Sequence, residues 1–325
     1  MNKILILGGS QLQLDLIFEA KKIYLEVHLF DGNPNCIGKK YADYFYHIDI
    51  KDKEAILEKA KEIKPIASLT IATEVGNTTS CYISEILNLK TNSYQVSLNT
   101  TNKKSMKQIC TKNDIQTAPY QIVSNNFEVK NWKYFPAIIK PLDSSAGRGV
   151  SFIENPSDIQ DAITNAFSFS NTNEVIIEQY VKGKQYSIET ISANKIHKIV
   201  AITEEYITPL PNIIETQQLI PARVATNEKV KIETFALKVL NSFEITYGAS
   251  HIEIREDENG KLYFIEIASR MGGWRSELIT LALGINYCQL LLFSVIGKQI
   301  DFTPSKDDIA IVKMVLSTND FEQYK

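Results

Sequence analysis

The beginning of the chain alternates between short apolar runs and amphipathic stretches, and this alternation limits the possible folds more than any other feature. Apolar runs at residues 3–7, 26–32 and 66–72 have the length of buried strands. A helical stretch follows the first run and continues to about Lys22, and residues 54–64 form an amphipathic helical stretch. Strands that alternate with helices of this length form a parallel sheet with helices on its faces. The sequence therefore predicts a doubly wound, Rossmann-like α/β unit at the N-terminus.

The turn after the first predicted strand bears on whether this unit binds a dinucleotide. Its sequence, GGSQLQ, lacks the GxGxxG spacing that brings a pyrophosphate onto a helix N-terminus. We therefore favour a structural Rossmann-like domain over a dinucleotide-binding one.

Composition and charge argue against several classes of partner. The 325 residues carry a net charge of −3, so the chain lacks the basic surface that nucleic acid or an anionic membrane requires. Its four cysteines form no CxxC pair, which argues against a disulfide framework or a structural zinc and indicates a reducing cytoplasm. Residues 278–297 carry no formal charge, but Gly284 and Asn286 interrupt them. We predict two short buried helices there, the second capped by Asn286, rather than a membrane span.

Beyond about residue 100 the strands come in antiparallel pairs. Residues 137–141 are predicted to pair with 149–153, and residues 174–181 with 185–193 through a turn at Gly183. Antiparallel strands of this kind, interspersed with helices, are typical of an α+β fold.

A lysine and a run of small residues lie together in residues 136–150. Backbone N–H groups of small residues can approach an anion closely, and a nearby lysine adds a point charge for phosphate. The lysine precedes the glycines and no helix follows, so the segment is not a Walker A loop, and a plain glycine-rich hairpin is an equal alternative. The candidate phosphate-binding residues are Lys140, Ser144, Ser145, Gly147, Arg148 and Gly149.

Two glutamates are predicted to face each other in a hairpin near the end of the chain. Asn259-Gly260 is a signal for a two-residue type I′ turn, and pairing outward from it places Glu253 opposite Glu266. Like charges in such a pair destabilise the sheet, unless one carboxyl takes up a proton or both share a cation. Hard oxygen ligands suit Mg²⁺, so we predict a magnesium site, with a solvated charged face as the alternative.

In this order, the segments resemble the ATP-grasp superfamily over nearly the whole chain. Residues 101–120, TNKKSMKQICTKNDIQTAPY, are similar to the family's DK-x-x-M helix. Residues 219–224, LIPARV, and 232–255, IETFALKVLNSFEITYGASHIEIR, are similar to amino-acid ligases of the superfamily. The N-terminal part resembles the pre-ATP-grasp domain of biotin carboxylase and carbamoyl-phosphate synthetase. The resemblance implies an α/β and α+β fold: a Rossmann-like pre-ATP-grasp domain followed by a two-lobed ATP-grasp fold. The implied units are a pre-ATP-grasp domain over 1–99, a small lobe over 100–187, and a large lobe over 188–325 that looks short at its C-terminus.

The resemblance also implies a role for each candidate residue. Two lysines would contact the triphosphate under the small-residue loop, a hinge would contact adenine largely through its backbone, and Arg270 would hold an acyl phosphate. ATP and Mg²⁺ are the implied cofactors, with Mn²⁺ as an alternative. The nucleotide-binding residues would be Lys103, Lys140, Ser144, Ser145, Gly147, Arg148, Gly149, Glu178, Gln179, Tyr180, Val181 and Gln185; the metal ligands Glu253 and Glu266; and the catalytic residue Arg270.

One position departs from the family pattern. Ala268 occupies the place of a metal-binding Asn, and His251, which is predicted to lie opposite it, could fill the gap, pack or contact substrate. Trp274 and Arg275 are expected near the substrate pocket, with core packing as the alternative for Trp274.

The function implied is ATP-dependent ligation of a small-molecule carboxylate to an amine, forming a C–N bond. A non-catalytic, regulatory ATP-binding protein and a bicarbonate-using, carboxylase-type enzyme remain as alternatives. A homodimer is left open, and neither a membrane nor a nucleic acid is expected as a partner.

Overall fold

A four-stranded parallel sheet forms the first part of the fold. The structure is a computed structural model that describes residues 1–124, 129, 131–143, 147–317 and 320. The parallel strands lie in the order β3-β2-β1-β4, and the strands predicted at its centre are confirmed. The elements are β1 (Lys3–Leu7), α1 (Leu14–Lys22), β2 (Glu26–Phe30), β3 (Tyr44–Tyr46), α2 (Lys53–Ile63), β4 (Ala67–Leu69), α3 (Glu74–Ile86) and α4 (Tyr94–Asn99).

Two antiparallel sheets follow, one of four strands and one of six. Their strand orders are β5-β8-β6-β7 and β13-β12-β9-β10-β11-β14, so the expected change to α+β structure is confirmed. The elements are α5 (Lys103–Lys112), β5 (Tyr120–Ser124), β6 (Ala137–Pro141), β7 (Ser151–Ile153), α6 (Ile159–Ser168), β8 (Glu174–Gln179), β9 (Lys184–Ala193), β10 (Ile196–Ile207), β11 (Glu215–Ile220), α7 (Thr226–Ser242), β12 (Gly248–Glu256), β13 (Leu262–Ala268), α8 (Arg275–Leu283), α9 (Tyr287–Ile296) and β14 (Ala310–Lys313). The predicted division at residue 188 falls inside β9, and the three-unit division stays a prediction.

The connection between β8 and β9 corrects one predicted strand pair. β6 pairs with β7 as expected, but β8 pairs with β5 and β6, whereas β9 pairs with β10 and β12. Gly183 lies in this connection with a φ of +140°, and a Cβ there would lie 1.9 Å from the Glu256 carbonyl oxygen, so the close approach to β12 requires glycine. The segment around Gly183 therefore crosses from one sheet to the other.

The turn between β12 and β13 is wider than predicted. A type I′ turn needs positive φ at both central residues, but of the Asn259-Gly260 pair only Gly260 has it, at +74°. The Asp257 carboxylate accepts hydrogen bonds from the backbone N–H of Asn259 at 2.9 Å and of Lys261 at 2.8 Å, and this closes a three-residue loop. The prediction of a two-residue turn was therefore wrong.

The predicted register at the carboxylate pair is nevertheless confirmed. The wider loop shifts the pairing by one residue, and a bulge between Glu253 and Ile254 shifts it back. Glu253 consequently pairs with Glu266, and His251 with Ala268.

Helices α8 and α9 form the predicted pair. The Asn286 side chain caps α9 by accepting a hydrogen bond from the Gln289 N–H at 2.9 Å. In the described part of the chain no single helix is long and apolar enough to span a membrane. Together α8 and α9 reach that length and composition, but they bend by 112° at their junction.

Candidate functional site

A cavity of about 1380 Å³ lies between the two antiparallel sheets and is bordered by α3 and α4 of the first part. Of the predicted site residues that are described, all but Gly149 and Arg270 line it. Ser144 and Ser145 lie outside the described residues. The predicted residues at the wall are Lys103, Lys140, Gly147, Arg148, Glu178, Gln179, Tyr180, Val181, Gln185, Glu253 and Glu266.

Glu178 contacts two lysines in one wall of the cavity. Its carboxylate forms an ion pair with Lys140 from β6, and its Oε2 lies 2.8 Å from Nζ of Lys107 in α5. Burial alone would raise the pKa of Glu178, but the two lysines hold it at about 2. Burial by itself would lower the pKa of Lys140. The negative charges of Glu178 and, to a smaller extent, Glu266 outweigh burial, so the pKa of Lys140 is raised. The Glu178 side chain therefore fixes Lys140, and its predicted part in an adenine hinge rests on its backbone.

The hinge exposes backbone acceptors because prolines face it. The Gln179 N–H donates to the Pro119 carbonyl at 3.0 Å, and the Tyr180 N–H donates to the Pro136 carbonyl at 2.8 Å. In an antiparallel pair the opposite residue normally donates its own N–H in return, but proline has no N–H. The Gln179 carbonyl therefore receives no backbone hydrogen bond from Pro119, and the Tyr180 carbonyl receives none from Pro136.

Arg255 organises the residues beside the hinge. Its guanidinium lies 4.5 Å from the Tyr180 ring centroid and donates to the Val181 carbonyl at 2.9 Å. It also donates to Oε1 of Gln185 at 3.0 Å, and the Gln185 amide in turn donates to Glu205 at 2.7 Å. These contacts hold Gln185 at the cavity wall.

The predicted metal ligands face each other with unequal tendencies to ionise. Burial, and then the Glu266 charge, raises the pKa of Glu253 to about 7. Burial also disfavours the charge on Glu266, but Lys103 and Lys140 lower its pKa overall. Lys103 Nζ lies 3.8 Å from Oε2 of Glu266. The pair thus brings the oxygen atoms of two carboxylates together at the cavity wall, and hard oxygen ligands suit a divalent cation such as Mg²⁺.

His251 does not fill the position that Ala268 leaves. Its Nδ1 bonds to Glu189, and its Nε2 lies 3.2 Å from Oε1 of Glu253. Burial opposes protonation, but Glu189 and then Glu253 raise the pKa of His251 to about 10. A carboxylate thus lies at each ring nitrogen of His251, and through these contacts His251 holds Glu253 in place.

A buried polar network beneath this wall was missed from the sequence. Arg275, 2% exposed, donates to Glu205 at 2.7 Å and to Ser187 at 2.9 Å, and its Nε lies 3.4 Å from Glu189. The available signal was the alternation of polar residues at 185, 187 and 189 with the apolar Tyr186 and Ile188 in the first half of β9.

Arg270 is held by the first part of the fold. It forms an ion pair with Glu74, the first residue of α3, and donates to the Met271 carbonyl at 3.2 Å. Glu74 lines the large cavity, which places this ion pair at its edge.

Trp274 lines a second, smaller cavity of about 70 Å³, together with Gln11 and Asp15 from the first part. A Cβ on the adjacent Gly272 would lie 2.7 Å from Oε1 of Glu189, so the buried carboxylate excludes larger residues there.

Comparisons with known proteins agree with this architecture. Residues 133–277 match the model of the ATP-grasp domain family. A formate-dependent phosphoribosylglycinamide formyltransferase from Prochlorococcus marinus subsp. pastoris is 31% identical over 189 residues, which are 55% of this chain and 47% of that protein. The chain thus spans about half the length of this curated relative.

Solved structures show the same fold. N5-carboxyaminoimidazole synthetase from Staphylococcus aureus, complexed with ADP, has a TM-score of 0.84 at 19% identity, over 99% of this chain and 86% of that one. L-amino acid ligase from Bacillus licheniformis has a TM-score of 0.81 at 20% identity, over 92% and 75%. Residues 133–277 therefore match an ATP-grasp domain, and the parallel sheet and two antiparallel sheets of the chain form the fold of these solved structures.

Proposed function

We propose that this chain is an ATP-dependent ligase that activates a carboxylate as an acyl phosphate and joins it to an amine. The observation that carries the proposal is the cavity, which brings two lysines to face two glutamates beside an open backbone hinge. The similarity to a formate-dependent formyltransferase and to an L-amino acid ligase supports a small carboxylic acid as one substrate.

In this proposal the base of ATP lies at the hinge and its phosphates lie at the lysines. The Gln179 carbonyl can accept a hydrogen bond from the adenine amino group, because Pro119 leaves that acceptor without its ladder donor. Lys103 and Lys140 supply positive charge toward the polyphosphate, and Glu178 fixes the direction of Lys140.

Glu253 and Glu266 would hold Mg²⁺, with Mn²⁺ as an alternative. Held by these two carboxylates, such a cation would supply positive charge that favours phosphoryl transfer. The protein's part is orientation: His251 fixes Glu253, and buried Glu189 fixes His251.

Arg270 would bind the acyl phosphate and the developing oxyanion. In the structure its partner is Glu74, so an anionic reacting group has to compete with this carboxylate. That contact, together with the lack of a ligating side chain at Ala268, favours a regulatory ATP-binding protein as the second candidate function.

The test combines binding with turnover. Calorimetry with Mg²⁺-ATP should show binding that Lys140→Ala weakens by roughly ten-fold or more, because a charge-assisted contact contributes about 1.5–3 kcal/mol. ADP release and product mass, measured over a panel of carboxylic acids and amines, should show a C–N product. Unchanged affinity in Lys140→Ala contradicts the site, whereas binding without turnover favours the regulatory protein.

A further inference from the structure

Lys107 is a buried cation for which the proposed ligand contacts give no role. Its side chain is 2% exposed, and it does not line the large cavity. Its Nζ donates to Oγ1 of Thr117 at 2.5 Å and lies 2.8 Å from Oε2 of Glu178. Placing an ammonium group in such a position is unfavourable unless a charge partner compensates for lost hydration, and Glu178 is that partner.

Lys107 and Lys140 approach Glu178 at different oxygens. Lys140 pairs with Oε1 and lines the cavity, whereas Lys107 lies nearest Oε2, behind the cavity wall. Glu178 is itself buried, with 6% of its side chain exposed. The three groups therefore form one buried unit, of which only the Lys140 end offers a cation to a ligand.

The charges of this unit explain why two lysines are present. Glu178 and Lys140 alone would form a neutral pair, whose attraction for a phosphate would be weak. Lys107 adds a second positive charge, so the unit carries a net charge of about +1 next to the cavity. A carboxylate can then hold Lys140 in a fixed direction while the unit still attracts an anion.

We propose that Lys107 is a positioning residue for polyphosphate binding, which balances Glu178 so that Glu178 orients Lys140 without neutralising it. This inference rests on the proposed function, because it requires a nucleotide with its phosphates at Lys140.

The contrast between ATP and adenosine separates this role from simple support of the fold. In Lys107→Met, Glu178 has only Lys140 to pair with, so the dissociation constant for Mg²⁺-ATP should rise about ten-fold. The constant for adenosine should stay within about two-fold, because the hinge is unchanged. Lys107→Arg restores the charge and should recover most of the ATP affinity.

A double-mutant cycle tests whether Lys107 acts through Lys140. In a Lys140→Met background, adding Lys107→Met should weaken ATP binding by clearly less than the roughly ten-fold expected when Lys140 is present, because the residue that Lys107 helps to orient is gone. Lys104→Met is the matched control: it lies on the same helix, is 39% exposed, pairs with Glu174 at 2.6 Å, and should change neither affinity.

The outcomes distinguish this inference from the proposed function. If the wild-type protein binds no ATP, the proposed function is wrong. If it binds ATP but Lys107→Met weakens ATP and adenosine alike, or adds fully to Lys140→Met, Lys107 is structural and the inference is overturned. Thermal unfolding checks that each variant folds. If Lys107→Met does not fold, Lys107→Gln, which keeps a hydrogen-bond donor for Thr117, is measured against the same expectations.

Discussion

Glu253 and Glu266 lie opposite each other, but their charges have different effects on stability. The pKa of Glu253 is raised to about 7, so its ionised form is disfavoured in the folded protein, whereas that of Glu266 is lowered, so its ionised form is favoured. A raised carboxyl pKa lowers stability as pH rises from the unfolded value, near 4.5, through the folded value. At pH 8 the destabilisation that burial and the Glu266 charge cause therefore arises mainly from the ionised Glu253 carboxylate.

Glu253→Gln should consequently stabilise the metal-free protein. At pH 8 we expect the free energy of unfolding to rise by about 1–3 kcal/mol, and the gain to fade toward pH 5. The thermal shift caused by Mg²⁺-ATP should shrink in the same variant, since a ligand stabilises in proportion to RT ln(1 + [L]/Kd). Exposed Glu258→Gln, in the turn, is the control that should change neither quantity. A destabilised Glu253→Gln that keeps the full shift would make the pair structural.

Arg270→Ala should separate binding from turnover. Arg270 is held by Glu74 at the edge of the cavity, away from the hinge, so the variant should bind Mg²⁺-ATP within a few-fold of wild type yet lose most product formation. Initial rates and calorimetry on the same preparations check this. Parallel losses of affinity and rate would instead assign Arg270 to the triphosphate or to the fold.

At the scale of elements, the sequence predicts strands better than their partners. Apolar runs and alternation located β1, β2, β6 and β8, because burial leaves a local pattern. The predicted β8–β9 pairing was wrong because a glycine between two strand patterns resembles a hairpin turn in sequence. In the structure Gly183 instead allows a close contact with the Glu256 backbone, which is distant in sequence. Lys107 was not singled out for a similar reason: a lysine on an amphipathic helix looks exposed until Glu178 is placed beside it.

The turn between β9 and β10 holds two non-glycine residues in the left-handed backbone conformation. Asn194 and Lys195 have φ of 51° and 64°, the paired left-handed conformation of a type I′ turn, in which Gly is preferred at the second position. Lys195→Gly should raise the free energy of unfolding by about 0.5–1 kcal/mol, and it keeps the backbone bond to the Thr246 carbonyl. Chemical denaturation measures this. Lys184→Gly, at the start of β9, should have no such benefit, and equal effects of the two changes would refute the argument.

At the scale of the whole molecule, the first part and the six-stranded sheet share one hydrophobic core. Buried residues of β1 and α1, such as Ile4 and Ile17, belong to the same cluster as Ile191 of β9 and Leu292 of α9. The four-stranded sheet has a separate core around Ile177. The large cavity therefore lies between a large part with a shared core and the smaller four-stranded sheet. Dimerisation and a cytoplasmic location stay predictions.

This division predicts how damage to each core spreads. Leu292→Ala removes fully buried methyl groups from α9, which packs against α1, β9 and β12, so it should lower the free energy of unfolding by about 2–5 kcal/mol. Because the core is shared, native-state hydrogen exchange should accelerate in β1 and α1 as well as in β9 and β12. Ile177→Ala, also fully buried, should accelerate exchange in β5, β6 and β8 while leaving β1 protected. If Leu292→Ala accelerated exchange in β9 and β12 alone, the first part would be an independent folding unit.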